Sequence, residues 1–175
     1  MQGAIWKSQR GYSRNFGKGN AMSKRYLSIM LGVLLSVGCA LEACAQAKPE
    51  TLVKQRQAVM ELHGKYMYGV LNAMARNRIP YDAVAAARAI VFLDALSKMP
   101  WDGFSPATKD VKATDALPAV YAEPAKFKAA QEHYLAEVAK LVALTKGGSE
   151  AAIKEQITAT NNSCNNCHDS FRAKS

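Results

Sequence analysis

Residues 149–171 read SEAAIKEQITATNNSCNNCHDSF and have the pattern of one continuous helix. Ser149 is a typical helix-capping residue, and Glu150 places a negative charge in the first turn. Mostly apolar or functional side chains then recur at spacings of three and four, which places them on one helical face. That face contains Ile153, Ile157, Thr160, Cys164, Cys167, His168 and Phe171. The segment therefore predicts a long helix with one face turned to a core.

Three further helical segments precede this one, at about Glu50–Arg76, Asp82–Lys98 and Pro124–Lys146. Proline and glycine punctuate the connections, and only the connection at 99–122 is long. Four amphipathic helices with mostly short connections predict an all-α, antiparallel up-down-up-down four-helix bundle.

Each segment also predicts which residues are buried. In the first, the expected stripe recurs every seven residues and consists of Val53, Met60, Met67 and Met74. In the second, we expect the buried side to contain Val84, Ala87, Val91 and Leu93 to Leu96. In the third, the inward residues are Phe127, Tyr134, Val138, Leu141 and Leu144.

The N-terminal 47 residues have the pattern of an export signal. Lys24 and Arg25 precede a run of about twelve apolar or small residues, YLSIMLGVLLSV at 26–37, and the small residues Ala45-Gln46-Ala47 follow. This run is too short to cross a bilayer, which takes roughly 20 residues, so we expect no stable membrane insertion. The prediction is an extension plus cleaved signal at 1–47, then one domain at 48–175 in the periplasm.

Two details of this N-terminal region stay open. Met22 opens a signal of ordinary length and is an alternative start, and Ala43-Cys44-Ala45 is an alternative cleavage pattern. The residues around Cys39 loosely resemble a bacterial lipidation site, but Ser36 stands where a large apolar residue is usual. Cleavage without lipid anchoring is therefore the expectation.

The charge of the chain argues against a nucleic-acid partner. The full sequence has a formal net charge of +9, but residues 48–175 contain 17 Lys and Arg against 13 Asp and Glu, a net charge of +4. Most of the basic excess therefore belongs to the N-terminal region. The remaining chain also does not interleave basic with aromatic residues as nucleic-acid grooves do.

The sequence Cys164-Asn165-Asn166-Cys167-His168 is the pattern of a covalent haem attachment site in an exported protein. Both thiols would bond the porphyrin vinyl groups, and the adjacent imidazole would ligate the iron. Three other roles for these cysteines and this histidine fit the sequence less well. A disulfide would close a very short loop, zinc lacks an evident fourth ligand, and thioredoxin chemistry expects a βαβ context.

This C-terminal motif, within a four-helix pattern, resembles the class II cytochromes c, the cytochrome c-prime group. The resemblance extends to three further stretches, which are Lys54–Gln57, Ile79–Ala83 and Leu96–Trp101. It implies a bundle with covalently attached haem c and no enzymatic activity. It also implies periplasmic redox proteins as partners and homodimers.

The resemblance implies a role for the residue facing the iron from the first helix. The family position falls on Met60, four residues after Arg56. At 1.5 Å per residue Met60 lies roughly 15 Å into its helix. Of the methionines in that helix, it is the one whose position along the bundle is closest to that of His168. We therefore expect His168 and Met60 as axial ligands of a six-coordinate, low-spin iron, with ligation by His63 or an open face as alternatives.

The resemblance also gives two arginines a role at the haem. Arg56 resembles the residue that pairs with a haem propionate, and Arg172 resembles the basic residue beside the proximal imidazole. Together these residues predict a one-electron carrier. The alternative is a five-coordinate cytochrome c-prime that binds nitric oxide or carbon monoxide at the iron.

Overall fold

The structure, a computed structural model, describes residues 47–174. The predicted signal, its cleavage site, Met22 and Cys39 lie outside the described residues. Within them the chain is helical, and its only extended pairing is a single antiparallel bridge between Ala116 and Arg172. An antiparallel four-helix bundle was predicted, and it is confirmed.

The first helix of the bundle, α1, spans Pro49–Tyr66, continues through a π-helical turn at Met67–Leu71 and ends as the short α-helical stretch Asn72–Ala75. Proline at the first helical position loses no hydrogen bond, because the first amides of a helix have no partner within it. Asn77 takes a positive φ of 55° just beyond the end. Asparagine tolerates this left-handed conformation, which stops the helix.

The other helices begin at capping residues or prolines. Helix α2 spans Ala83–Ser97, and the Asp82 carboxylate accepts from the amides of Val84 and Ala85 at 2.8 and 3.0 Å. The long connection contains 3₁₀ turns at Trp101–Phe104 and Pro106–Thr108 and a short helix α3 at Ala119–Ala122. Helix α4 spans Pro124–Leu144 and α5 spans Glu150–Phe171, capped by the Ser149 hydroxyl.

The core lies between α1, α2, α4 and α5, and α5 packs most extensively on α4. Its most deeply buried apolar residues are Met67, Leu71, Ile90, Leu93, Val138, Leu141 and Ile157. Three members of the predicted stripe on α1, Val53, Met67 and Met74, are buried, whereas Met60 is only half-buried.

The expected buried side of α2 is wrong at three positions. Val84 is 79% exposed, Val91 is 64% exposed and Ala95 is also exposed, while Ala86 and Ile90 are buried. The segment is apolar on almost every side, so hydrophobic periodicity does not distinguish its faces.

Candidate functional site

Helix α5 places Cys164, Cys167 and His168 on the wall of one cavity of about 530 Å³. This volume is in the range of cofactor pockets. Both thiols are partly buried and free of disulfides within the described part of the chain. Burial raises the pKa of the Cys164 thiol to about 11 and also raises the pKa of Cys167. The three reactive groups of the motif therefore open into one common space.

Aromatic side chains also line the cavity. Phe127 of α4 lies at the centre of this group, with ring centroids 4.9 Å from Phe104 and 5.2 Å from Phe171. Trp101 packs against both Phe104 and Phe127, at 6.1 and 6.3 Å. A flat apolar group is accommodated well by such walls, because it replaces water against the rings.

His168 is half-buried near the C-terminal end of α5. Desolvation lowers its pKa, and the positive charge of Arg172 lowers it further, with a smaller opposing effect from Asp169. These effects favour the neutral imidazole, which is the form that ligates a metal. Within residues 47–174 no cluster of three or more His, Cys, Asp or Glu is arranged to hold a metal ion, so the zinc alternative gains no support.

Met60 and His63 both line the cavity from α1. The Nδ1 atom of His63 lies 2.8 Å from the Val59 carbonyl oxygen, so Nδ1 carries the proton and Nε2 bears the lone pair. Nε2 is buried and has no hydrogen-bond partner in the described part of the structure. An atom that ligates iron inside the cavity would be accessible from the cavity, and Nε2 is not. The geometry therefore does not support His63 as an iron ligand.

Arg56 lies on the same cavity wall and is only 3% exposed. Its guanidinium donates to the Gly103 carbonyl and to the Thr114 hydroxyl, and it stands 4.3 Å from the centroid of the Phe104 ring. No carboxylate is in ion-pair range among the described residues. Because a buried cation favours a nearby anion, this environment fits a haem propionate.

Arg172 also lines the cavity, at the end of α5. Its guanidinium lies 3.2 Å from the Asp115 carboxylate, and its amide donates to the His168 carbonyl at 3.0 Å. All six predicted site residues therefore border one cavity: Arg56, Met60, Cys164, Cys167, His168 and Arg172.

The residues 113–117 of the long connection are a part of the site that the sequence did not predict. Thr114, Asp115 and Ala116 line the cavity, and Gln57 of α1 donates to the Ala113 carbonyl at 2.9 Å. The segment has no hydrophobic period or motif, so its sequence carries no signal of this position. Tyr134 also lines the cavity, but at the sequence level it was identified only as a core residue.

Three comparisons with known proteins agree on one family. The family model described as Cytochrome C' matches residues 51–172. Cytochrome c' of Rubrivivax gelatinosus is 39% identical over 127 residues, which cover 73% of this chain and 98% of that protein. Its crystal structure superposes with a TM-score of 0.68 at 38% identity and covers 71% of this chain and 97% of that one.

A second relative is cytochrome c' of Alcaligenes xylosoxidans, at 31% identity. The nitric oxide complex of one of its variants superposes with a TM-score of 0.67 and covers 74% of this chain and 99% of that one. A carbon monoxide complex of another variant superposes with a TM-score of 0.66 and covers 73% of this chain and 98% of that one.

These relatives contradict the predicted six-coordinate electron carrier with His168 and Met60 as ligands. Both are cytochromes c', and several solved structures of variants of the Alcaligenes xylosoxidans protein hold nitric oxide or carbon monoxide. Met60 borders the cavity, but packing is a sufficient role for it, because thioether side chains commonly fill apolar space. The Met-ligated low-spin branch is therefore not supported.

The cavity also meets the requirements of the family's cofactor, since it combines paired thiols, a neutral imidazole, aromatic walls and a buried cation. Proteins of this family carry haem c attached through cysteine thioethers. The chain belongs to the cytochrome c' family of class II c-type cytochromes, and its cofactor is covalently attached haem c.

Proposed function

We propose that this protein is a gas-binding cytochrome c' in which His168 is the only axial ligand that the chain supplies. When bound, the haem would supply an iron able to bind nitric oxide or carbon monoxide. The observation that carries the proposal is similarity over nearly the whole length of one relative, cytochrome c' of Alcaligenes xylosoxidans, variants of which hold these two gases in solved structures.

The side chains of the cavity have separate tasks in this proposal. Cys164 and Cys167 form the thioethers, and the neutral imidazole of His168 ligates the iron. Arg56 pairs with a propionate through a charge-assisted hydrogen bond. The aromatic wall excludes water from the porphyrin, and Met60 limits the space available to a bound gas.

Binding of a gas, rather than turnover of a substrate, is the proposed role. Export to the periplasm by the signal at 1–47 is part of the same proposal, because thioether attachment to this motif is typical of exported proteins. No described helix combines the length and apolarity that crossing a bilayer requires.

Periplasmic redox proteins and a second copy of this chain are the proposed partners. The exposed outer face of α2 supports the homodimer, because Val84, Val91 and Phe92 are exposed there and the half-buried Tyr66 of α1 packs against Phe92 at 5.0 Å. Light scattering of the holoprotein over a range of concentrations measures the mass directly. A monomer at every concentration would contradict the homodimer.

An optical spectrum of the ferric and dithionite-reduced holoprotein, with and without carbon monoxide, tests the gas-binding proposal. We expect high-spin spectra that shift when carbon monoxide is added to the reduced protein. Replacing Met60 by Leu should leave the spin state unchanged, because no iron–sulfur bond is lost. A low-spin ferric spectrum with a near-infrared sulfur-to-iron band, lost in the Met60→Leu variant, would overturn the proposal.

A further inference from the structure

The segment 113–117 fixes the chain at the end of α5. The amide of Leu117 donates to the Phe171 carbonyl at 2.9 Å, and the amide of Ala173 donates to the Asp115 carbonyl at 2.7 Å. These two bonds flank the bridge between Ala116 and Arg172. The backbone of Arg172 is therefore held on both sides by the segment.

A side-chain contact adds to this backbone pairing. The Arg172 guanidinium donates to the Asp115 carboxylate at 3.2 Å, with side chains 50% and 67% exposed. An exposed ion pair contributes little to stability. It does restrict the position of a long side chain whose backbone is already fixed, and both of these residues line the cavity.

Arg172 is close to the proposed iron ligand. It follows His168 by four residues, and its amide donates to the His168 carbonyl at 3.0 Å. Arg172 is the first residue beyond α5 and has extended backbone, so it directly follows the last turn of the helix, which contains His168. A cation near the imidazole withdraws electron density from the ring, so groups that surround a ligating histidine tune its strength as a donor to the metal.

We propose that Asp115 is a positioning residue for Arg172, and that this pair sets how strongly the Arg172 charge acts on His168. The inference rests on the proposed function in one respect, the ligation of the haem iron by His168. The carboxylate holds the guanidinium at the mouth of the cavity and so limits its approach to the imidazole.

The two partners are expected to act in opposite directions. Asp115→Asn releases the guanidinium, which can then approach the imidazole more closely; this raises the reduction potential and lowers the iron–histidine stretching frequency of the ferrous protein. Arg172→Gln removes the cation, so the potential falls and the frequency rises. Both side chains are substantially exposed and the pairing of the segment is by backbone atoms, so both variants are expected to fold.

The double variant separates positioning from simple charge. If each charge acts on the haem independently, the shifts in potential of Asp115→Asn and Arg172→Gln add. If Asp115 acts through Arg172, the Asp115→Asn shift is reduced to less than half when Arg172 is already Gln. Additive shifts would overturn the proposal.

Asp110→Asn is the matched control. Asp110 is an exposed carboxylate on the same long connection, and it does not line the cavity. We expect its substitution to leave the potential and the stretching frequency near wild type. Equal shifts in Asp110→Asn and Asp115→Asn would also overturn the proposal.

The outcomes distinguish this inference from the proposed function. A low-spin protein that does not bind carbon monoxide contradicts the proposed function, while the cycle of potentials still measures the coupling of Asp115 to Arg172. A protein that binds carbon monoxide but has additive shifts contradicts only the inference.

Discussion

The end of α5 and the segment 113–117 form adjacent walls of one cavity, but their sequences differ greatly in what they reveal. The α5 wall contains a motif whose chemistry is readable from spacing alone, Cys164 to His168. The 113–117 wall reads as an ordinary loop, yet it accepts hydrogen bonds from Arg56 and Gln57 and pairs with the end of α5. A covalent site has a local signature, whereas a wall assembled from distant elements has none.

The largest effect is expected when the two thiols of the α5 motif are removed. Replacing both Cys164 and Cys167 by Ala should abolish covalent haem attachment, because no thiol remains to form a thioether. Haem staining of a denaturing gel together with protein mass measures the loss. Replacing Asn165 and Asn166 by Ala should retain the haem, since both side chains are exposed and neither bonds it. Haem that stays covalently bound without the two cysteines would contradict the attachment site.

The second test removes the main contact between α1 and the long connection. Arg56→Gln should lower the free energy of unfolding of the holoprotein by about 1.5–3 kcal/mol, the order of a hydrogen bond to a charged group. It should also increase proteolysis between residues 103 and 114, where the two bonded partners lie.

Arg76→Gln is the control for that change. Arg76 is exposed, and within residues 47–174 its side chain bonds only the Asn72 side chain, at 3.2 Å, so its substitution should lower the free energy of unfolding by well under half as much. Chemical denaturation followed by circular dichroism measures both variants. An equal decrease in the free energy of unfolding in both variants would contradict the proposed contribution of the Arg56 contacts.

The third test concerns the close approach of the long connection to α1. A Cβ at Gly103 would lie 2.6 Å from the Arg56 Cβ and 2.8 Å from the Leu52 carbonyl oxygen. Gly103→Ala should therefore lower the free energy of unfolding by about 1–3 kcal/mol, as overpacking does. Gly69→Ala meets nothing within 4 Å, and it should be neutral or stabilising by up to about 1 kcal/mol. A Gly103→Ala protein as stable as wild type would contradict the packing.

The smallest expected effect is a pH dependence that arises from His63. Burial lowers the pKa of His63 below its ordinary value of 6.5, so the unfolded state binds more protons than the folded state at mildly acidic pH. The free energy of unfolding should therefore decrease as the pH falls through and below about 6.5. His63→Gln should reduce this slope.

His133→Gln is the matched control, because His133 lies mostly exposed on α4. Denaturant unfolding at a series of pH values between 5 and 8 compares the two variants with wild type. If the pH dependence of the free energy of unfolding changes more in the His133 variant than in the His63 variant, the assignment to His63 is wrong.

Much of the fold was predictable because helices and caps are local. Pro49, Asp82, Pro124 and Ser149 mark helix starts within a residue or two of the observed bounds. The buried faces were harder where composition was uniform. Tyr134, Val138 and Leu141 lie inside as expected, while Val84 and Val91 of the almost wholly apolar α2 face outward. Periodicity distinguishes faces only when polar residues mark the other side.

The sequence by itself predicted the four helices of the bundle, Cys164 and Cys167 as the candidate attachment site of haem c, and His168 as the candidate ligand, since each depends on residues close together in the chain. Only the tertiary structure decided that Arg56 is a buried cation at the cavity, that His63 Nε2 is enclosed by protein, and that Asp115 reaches Arg172. These contacts join residues that are distant in the chain, and their distances are set by the packing of the helices together with the pairing of the long connection.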